Sequence, residues 1–532
     1  MIRDAIKESL GKSVKEAGYE NIDIEVLPTT DSRFGDYYTN VALSIGKADF
    51  GKQPTEVAKA IVAKLAKESR DFSSEIAQNG LINFKIYPKF LQTTLRKIIE
   101  QGENFGNVEK GKGKKARVEF VSANPTGPLH IGNARGGPIG DTIANTLESN
   151  GYKVLREYLH NNIGGQIEKL GQSIINVKNG QPIEEQEYRG EYILEMAKKI
   201  EAKENAKKVA AEAVEIMLKE IIKDCKDMGI EFDEIYRESE FESKLTNKAL
   251  DRLKEKGALK KKEGAVWFAP NDQYLNDREA VVVKSNGEKT YFANDIAYHN
   301  LKFSQDYDLI VDELGSGHDG HIPKLKSAIF TLGYDINKFK VIVHQNVRVK
   351  KGSEIIKMSK RAGNFVTARQ VLNEVGRDAF RFYMCMFDPS THMDFDLDKA
   401  KQKSADNPVY YVQYAHARAN SILKHAKKEK ISYEQLNKVD PSLLKSEAEL
   451  VLVKQLVRLP ELVEDIIKNF SVQLLPNYAI NVADLFNKYY EKHRVIDKDV
   501  ETTRARLLLV LAAKTVLQKS LNLLGVSAPE KM

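Results

Sequence analysis

Three short stretches hold residue types that can act together. The first is Leu129-His130-Ile131-Gly132-Asn133, which follows a turn rich in proline and glycine, Ala123-Asn124-Pro125-Thr126-Gly127-Pro128. His130 can donate to a phosphate or ribose oxygen, Asn133 adds a second polar contact, and Gly132 lets a flat ring approach the backbone. The second is Lys357-Met358-Ser359-Lys360-Arg361, more than two hundred residues downstream. Lysines on such a loop suit the negative charge that builds on a leaving pyrophosphate. The third is Tyr291 with Asp295, four residues apart. A carboxylate with an aromatic ring beside it is what a guanidinium ligand calls for.

The first and third stretches have plainer readings. His-x-Gly-Asn alone fits a structural strand–turn–helix with a surface histidine equally well. Asn294 or Asp295 would serve as a helix N-cap. The turn contains neither GxxxxGK[ST] nor GxGxxG, which excludes a Walker A loop and a dinucleotide fingerprint. His318 and His321, in a second glycine-rich loop that begins at Gly315, form an HxxH pair without further ligands, so no metal centre is expected.

The elements around these residues have the order of an open α/β sheet. Val118–Ser122 reads as a buried strand, and a helix from Pro138 places Ile139, Ile143, Ala144 and Leu147 on one face, with Gly151 as its stop. Strand, glycine-rich turn and helix place N–H groups at an anionic ligand. YKVLREYL is a second strand, ending in Asn161-Asn162-Ile163-Gly164-Gly165. From about Gln166 to Phe268, long lysine/glutamate-rich helices interrupt the alternation, which reads as an insertion. EAVVV is expected to resume the sheet, followed by Leu309–Leu314 and by KVIVHQNVRV as a last strand pair. Residues 1–110 read as a small α/β unit. From 391 to 532 the chain turns helical, the pattern of a bundle.

Composition adds bounds. The 532 residues imply about three domains, with 42% hydrophobic and 30% charged residues. No run of about eighteen apolar residues occurs, so no transmembrane helix is expected. The opening MIRDAIKESLGKSVKEAG is amphipathic and carries acids, unlike a secretory signal. Two cysteines, Cys225 and Cys385, support neither a disulfide framework nor a zinc ribbon. A reducing cytoplasm fits. The net charge of +7 permits polyanion binding without establishing it.

HIGN followed far downstream by KMSK resembles the paired signatures of class I aminoacyl-tRNA synthetases. VEFVSANPTGPLHIGNARGG, REYLHNNIGGQI, KMSKRAGNFVT and NPVYYVQYAHAR resemble the arginyl-tRNA synthetases over almost the whole chain. The resemblance implies an α/β fold: a Rossmann-like catalytic domain at 111–390 with a helical insertion at about 166–268. An N-terminal α/β accessory domain at 1–110 and an all-α anticodon-binding bundle at 391–532 flank it. It implies ATP-dependent activation of L-arginine and transfer to the terminal adenosine of tRNA(Arg), with Mg²⁺ as cofactor, by a cytoplasmic monomer.

Residue by residue, the resemblance assigns catalysis to His130, Asn133, Lys357 and Lys360. ATP falls to Ala123, Pro125, Thr126, Gly127, Pro128, Leu129, Ile131, Gly132, Gly315, His321, Met358 and Ser359. The arginine falls to Asn124, Asn162, Tyr291, Asp295 and His318, and tRNA to Tyr37, Tyr38, Asn40, Tyr410, Tyr414, Arg418 and Met532. Read from the residues alone, the tyrosines are as well explained as core. Two positions depart from the family pattern: Asn133 stands where a second histidine is usual, and the Asn161–Asn162 loop has Asn where many relatives have Asp. A small-molecule nucleotidyltransferase on the same fold leaves two domains unexplained. A tRNA-binding paralogue with a decayed site is disfavoured by the retained His130, Lys357, Lys360, Tyr291 and Asp295.

Overall fold

A five-stranded, all-parallel sheet holds the strand that leads into His130. The computed structural model describes residues 1–29, 31–48, 52–65, 70–184, 187–201, 205–240, 244–276, 278–356, 365–431 and 439–532. The strand order is Phe339–His344, Leu309–Gly315, Lys115–Glu119, Lys153–His160 and Glu234–Arg237. The first strand in sequence is therefore central. Its successors run outward on one side, and the later pair lies on the other. The chain reverses direction across the sheet between Lys115–Glu119 and Leu309–Gly315, the topological switch point at whose carboxyl edge open α/β sheets bind ligands.

Four expectations change. The strand begins and ends earlier than Val118–Ser122, because Val121 and Ser122 adopt positive φ (67° and 33°) and turn the chain out of the sheet. The interruption at 166–268 is not continuous, since Glu234–Arg237 returns to pair with Lys153–His160. EAVVV does not resume the parallel sheet. Ala280–Val283 pairs antiparallel with Ala265–Phe268, which pairs in turn with Leu259–Lys262. Nor is KVIVHQNVRV a strand pair: Phe339–His344 edges the parallel sheet, while Val347–Lys351 pairs with Glu354–Ile355 and Met393–Asp396.

The N-terminal unit combines Ile2–Glu16, Val41–Ala48 and Pro54–Leu65 with a four-stranded antiparallel sheet, while Pro88–Gln101 packs against the helices Glu447–Leu456 and Val500–Leu523. It is fastened to the C-terminal helices by ions. Arg3 reaches Glu464 and Asp465, Lys454 holds Asp36, and the Tyr37 hydroxyl donates to Glu461 at 2.7 Å. Within the interruption, Gly165–Lys178 and Ala206–Asp227 pack through Ile167, Leu170, Ile174, Val209 and Met217.

The helices Pro408–Lys428, Glu447–Leu456, Leu459–Asn469, Leu474–Lys492 and Val500–Leu523 form the bundle. The tail beyond the last helix ties it to the sheet domain. Arg381 is fully buried and donates to Leu524 O and Met228 O while pairing with Asp141. The Ser527 N–H donates to Asp378, and His416 Nδ1 lies 2.9 Å from Pro529 O.

Candidate active site

The turn after the central strand is rigid before any ligand enters. Tyr158 donates to Ala123 O at 2.8 Å, and Tyr192 donates to Thr126 O at 3.0 Å. His130 is the N-cap of the short helix Ile131–Ala134, and its Nδ1 accepts from the N–H groups of Gly132 (3.0 Å) and Asn133 (3.2 Å). Nδ1 is thereby the acceptor nitrogen, which places the ring hydrogen on Nε2 and makes that nitrogen a donor. A Cβ on Gly132 would fall 2.8 Å from His130 Cε1, so this cap requires glycine. Beneath it His344 Nε2 donates to Gly132 O at 2.9 Å, while its Nδ1 bonds the buried Glu313.

This arrangement corrects part of the expected nucleotide cradle. The N–H groups of Gly132 and Asn133 are engaged by His130, and that of Ile131 donates to Val366 O at 3.0 Å. Leu129 O accepts from Ala368 N at 2.7 Å. The side chains of Ala123, Leu129 and Ile131 are buried in the core, and Pro125 and Thr126 are also buried, so none of these five presents a side chain at the surface of the turn. Gly127 and Pro128 are half-buried, with Gly127 against the Tyr192 ring, and Gly315 pairs with His344 across the sheet.

The bonds from Leu129 and Ile131 join this turn to the chain at Val366 and Ala368. His130 and Thr367 form an antiparallel bridge, and the Phe365 ring lies edge-on to His130 at 6.5 Å. Lys357, Met358, Ser359 and Lys360 lie outside the described residues, but the chain leaves that segment at Phe365, directly against His130.

The opposite wall comes from the helix Tyr291–Ser304. Thr290 is its N-cap, accepting from Ala293 N, which replaces the expected capping role of Asn294 or Asp295. Tyr291 and Asp295 thus lie one turn apart on one face. The Tyr291 hydroxyl rests on the main chain of Gly164–Gln166. Burial and Glu238 raise its pKa, against the N–H groups of Gln166 and Gly165. Asp295 Oδ2 bonds His321 Nε2 at 2.7 Å, which moves His321 from the nucleotide side to the carboxylate expected to read the guanidinium. His318 is open to solvent at the cleft mouth; crowding by neighbouring atoms lowers its pKa, with Asp295 opposing.

Asn162 is also corrected. Its amide donates to Ser239 Oγ (2.9 Å) and its oxygen accepts from Ser239 N (3.0 Å), so it straps two loops together. Asn124 is exposed, accepts from Asn161 at 3.0 Å and donates to Gln166. The sequence reading missed Glu238, buried and accepting from Asn294 Nδ2 at 2.9 Å, and with it a second carboxylate beside Tyr291. It also missed His344. No local pattern marks either residue, because both act through partners distant in sequence.

Outside the sheet, Tyr37 is 1% exposed with its hydroxyl on Glu461, so it cannot meet RNA, whereas Tyr38 is half-buried and Asn40 exposed. Tyr410 and Tyr414 stack at 6.3 Å, and Arg418 lies 4.7 Å from the Tyr414 ring. All three line a cavity of about 300 Å³, and Met532 is exposed.

The description "tRNA synthetases class I (R), catalytic domain" matches residues 94–421, more than half of the chain. The chain belongs to the arginyl-tRNA synthetase family. The family's N-terminal domain matches 1–86 and a "DALR anticodon binding domain" matches 412–532. The arginine–tRNA ligase of Caldanaerobacter subterraneus subsp. tengcongensis is 38% identical over 100% of this chain and 98% of its own length. That of Thermotoga maritima is 38% identical over 100% of both. A Campylobacter jejuni crystal structure, described as a putative arginyl-tRNA synthetase, is 32% identical with a TM-score of 0.75 over 84% of this chain and all of that one. Thermus thermophilus arginyl-tRNA synthetase, at 21% identity, shares the fold over 100% of both chains with a TM-score of 0.80. Family membership makes the chain a class I arginine–tRNA ligase, an ATP-using enzyme with arginine and tRNA as substrates.

Proposed function

We propose that ATP and L-arginine meet at the switch point, with the guanidinium on the Tyr291–Asp295 side and the phosphates on the His130 side. The arginine carboxylate oxygen attacks the α-phosphorus, the bond to the β-phosphate bridging oxygen breaks, and pyrophosphate leaves as arginyl-adenylate forms. The arginyl group then passes to a ribose hydroxyl of the terminal adenosine of tRNA(Arg), the 2′-OH in class I chemistry, releasing AMP. No strong base is needed, so catalysis is positioning and charge stabilisation.

His130 Nε2–H and the Asn133 amide face the phosphates in this reading, with Lys357 and Lys360 closing from the segment that re-enters at Phe365. Asp295 and Tyr291 hold the guanidinium, with Glu238 as a further carboxylate and His321 yielding or sharing Asp295 Oδ2. Asn124 and His318 lie at the amino-acid end. Among the described residues no group of three His, Cys, Asp or Glu stands together to hold a metal ion. Mg²⁺ would accompany the ATP phosphates and supply charge neutralisation there.

Tyr38 and Asn40 would meet the outer part of the tRNA, and Tyr410, Tyr414, Arg418 and Met532 the anticodon loop. Among the described residues no helix is long and apolar enough to cross a membrane. A cytoplasmic monomer fits the reading.

The observation that supports it most is the bridge between His130 and Thr367, which sets the His130 turn against the chain seven residues beyond Lys360. The test is charging of total tRNA with each labelled amino acid, with and without RNase. The expected result is charging with arginine only, abolished by RNase and by Asp295→Ala. Charging with another amino acid would overturn the pocket, and tight tRNA binding without charging would return the decayed paralogue.

A further inference from the structure

The inner face of the helix Tyr291–Ser304 is fastened to the sheet by ions. His299, one turn beyond Asp295, has an acceptor at each ring nitrogen. Nδ1 lies 2.8 Å from the Asp295 main-chain oxygen and Nε2 lies 2.7 Å from Asp312 Oδ2. A carbonyl oxygen cannot donate, so Nδ1 carries a hydrogen. Burial opposes ionisation of Asp312, but Lys302 and His299 outweigh it and hold its pKa low.

The groups facing His299 from every packed element are accounted for. Asp312 comes from strand Leu309–Gly315, Glu119 and Arg117 from the central strand, and Glu157 from the next. Lys302, on the same helix, donates to Glu119 and, at 2.7 Å, to Asp312, with Glu157 at 3.5 Å. Arg117 pairs with Glu157, to which Tyr298 also donates, and the Phe339 ring packs edge-on to His299 at 5.5 Å. Three carboxylates gather with Lys302, Arg117 and His299, and burial raises the Glu119 pKa against the pull of Lys302. All six side chains are at least nine-tenths buried, where a leftover charge is costly.

We propose that His299 is a positioning residue for arginine. Held between the Asp295 carbonyl and Asp312, it sets the height and rotation of the helix so that Asp295 and Tyr291 meet the guanidinium. This rests on the arginine site proposed above.

The arginine KM tests it. In charging assays with saturating tRNA, His299→Gln should raise the arginine KM about tenfold or more, with the ATP KM within about twofold of wild type. An unchanged arginine KM, or an equal rise in both constants, overturns it. If His299→Gln does not fold, the double variant His299→Gln/Asp312→Asn replaces both partners of that bond with neutral amides, and its arginine KM decides in the same way. Asp295→Ala serves as the control. An unchanged arginine KM there sinks the arginine site and this proposal together, whereas a raised KM there with a native one at His299 sinks the proposal alone.

Discussion

At the carboxyl edge of the parallel sheet, the polar groups proposed for the site are engaged in advance. His130 caps its own helix, Asp295 bonds His321, and Asn162 straps Ser239. In the bundle, Tyr410 and Tyr414 present stacked rings to an open cavity, with the Arg418 cation over one face. The first arrangement suits a ligand recognised by directional hydrogen bonds to a charged fork, where a displaced donor or acceptor loses most of its value. The second suits a planar group recognised by area and polarisability, which tolerates small shifts. The comparison teaches that precision at the sheet edge is prepared in the free protein, while the bundle keeps apolar faces for its partner to cover.

His160 is the counter-case at the sheet edge and gives the largest expected effect. It closes the strand Lys153–His160 just before the Asn161–Asn162 loop, is fully buried, and neither ring nitrogen has a hydrogen-bond partner. Burial pulls its pKa down to about 4, with Glu215 opposing and Arg237 assisting. A histidine with a depressed folded pKa binds its proton more readily when unfolded. Stability is therefore full above about pH 6.5, falls as pH drops toward about 4, and levels off below, with a total loss of ~3 kcal/mol. His160→Leu should remove that slope. Thermal unfolding of both proteins at several pH values checks it: the wild type should lose ground to the variant between pH 6.5 and pH 4. Parallel curves would mean that the ring finds a partner and that the sheet edge has no exception.

The second prediction tests tolerance in the bundle. Tyr414→Phe keeps the ring and loses only the hydroxyl that accepts from Arg418 at 3.2 Å, so the Kd for tRNA(Arg) should stay within about twofold. Tyr414→Ala should weaken binding about tenfold, the scale of one lost base–aromatic stack, without changing the arginine KM. A large loss from the phenylalanine variant would make the pocket as directional as the sheet edge and erase the contrast.

What the sequence made legible follows the same division. Strand, turn and helix around His130 are local and punctuated by glycine and proline, and the four-residue spacing of Tyr291 and Asp295 survives into one helical face. Glu234–Arg237 stayed hidden because a four-residue edge strand lacks a pattern long enough to stand out among charged helices. In Tyr37-Tyr38-Thr39, alternation says that one tyrosine is inside but not which. Glu461, more than four hundred residues away, decides for Tyr37. The bridge from His130 to Thr367 and the supports at His344 and Glu238 are likewise long-range pairings without a local signature.

The smallest expected effect is at Asn133, where the family pattern that the sequence resembles has a second histidine. Its N–H donates to His130 Nδ1, and its half-buried side chain starts the same short helix. The main-chain bond does not depend on the side chain, so Asn133→His should leave the His130 cap in place. An imidazole offers a donor of similar reach to the amide and can also become charged, which an amide cannot. Single-turnover formation of arginyl-adenylate, with arginine, ATP and tRNA saturating, should be unchanged or faster by up to about tenfold, the range of one improved charge-assisted hydrogen bond. A large loss would mean that the amide makes a directional contact of its own, and that this chain has rebuilt the phosphate side of its site around asparagine.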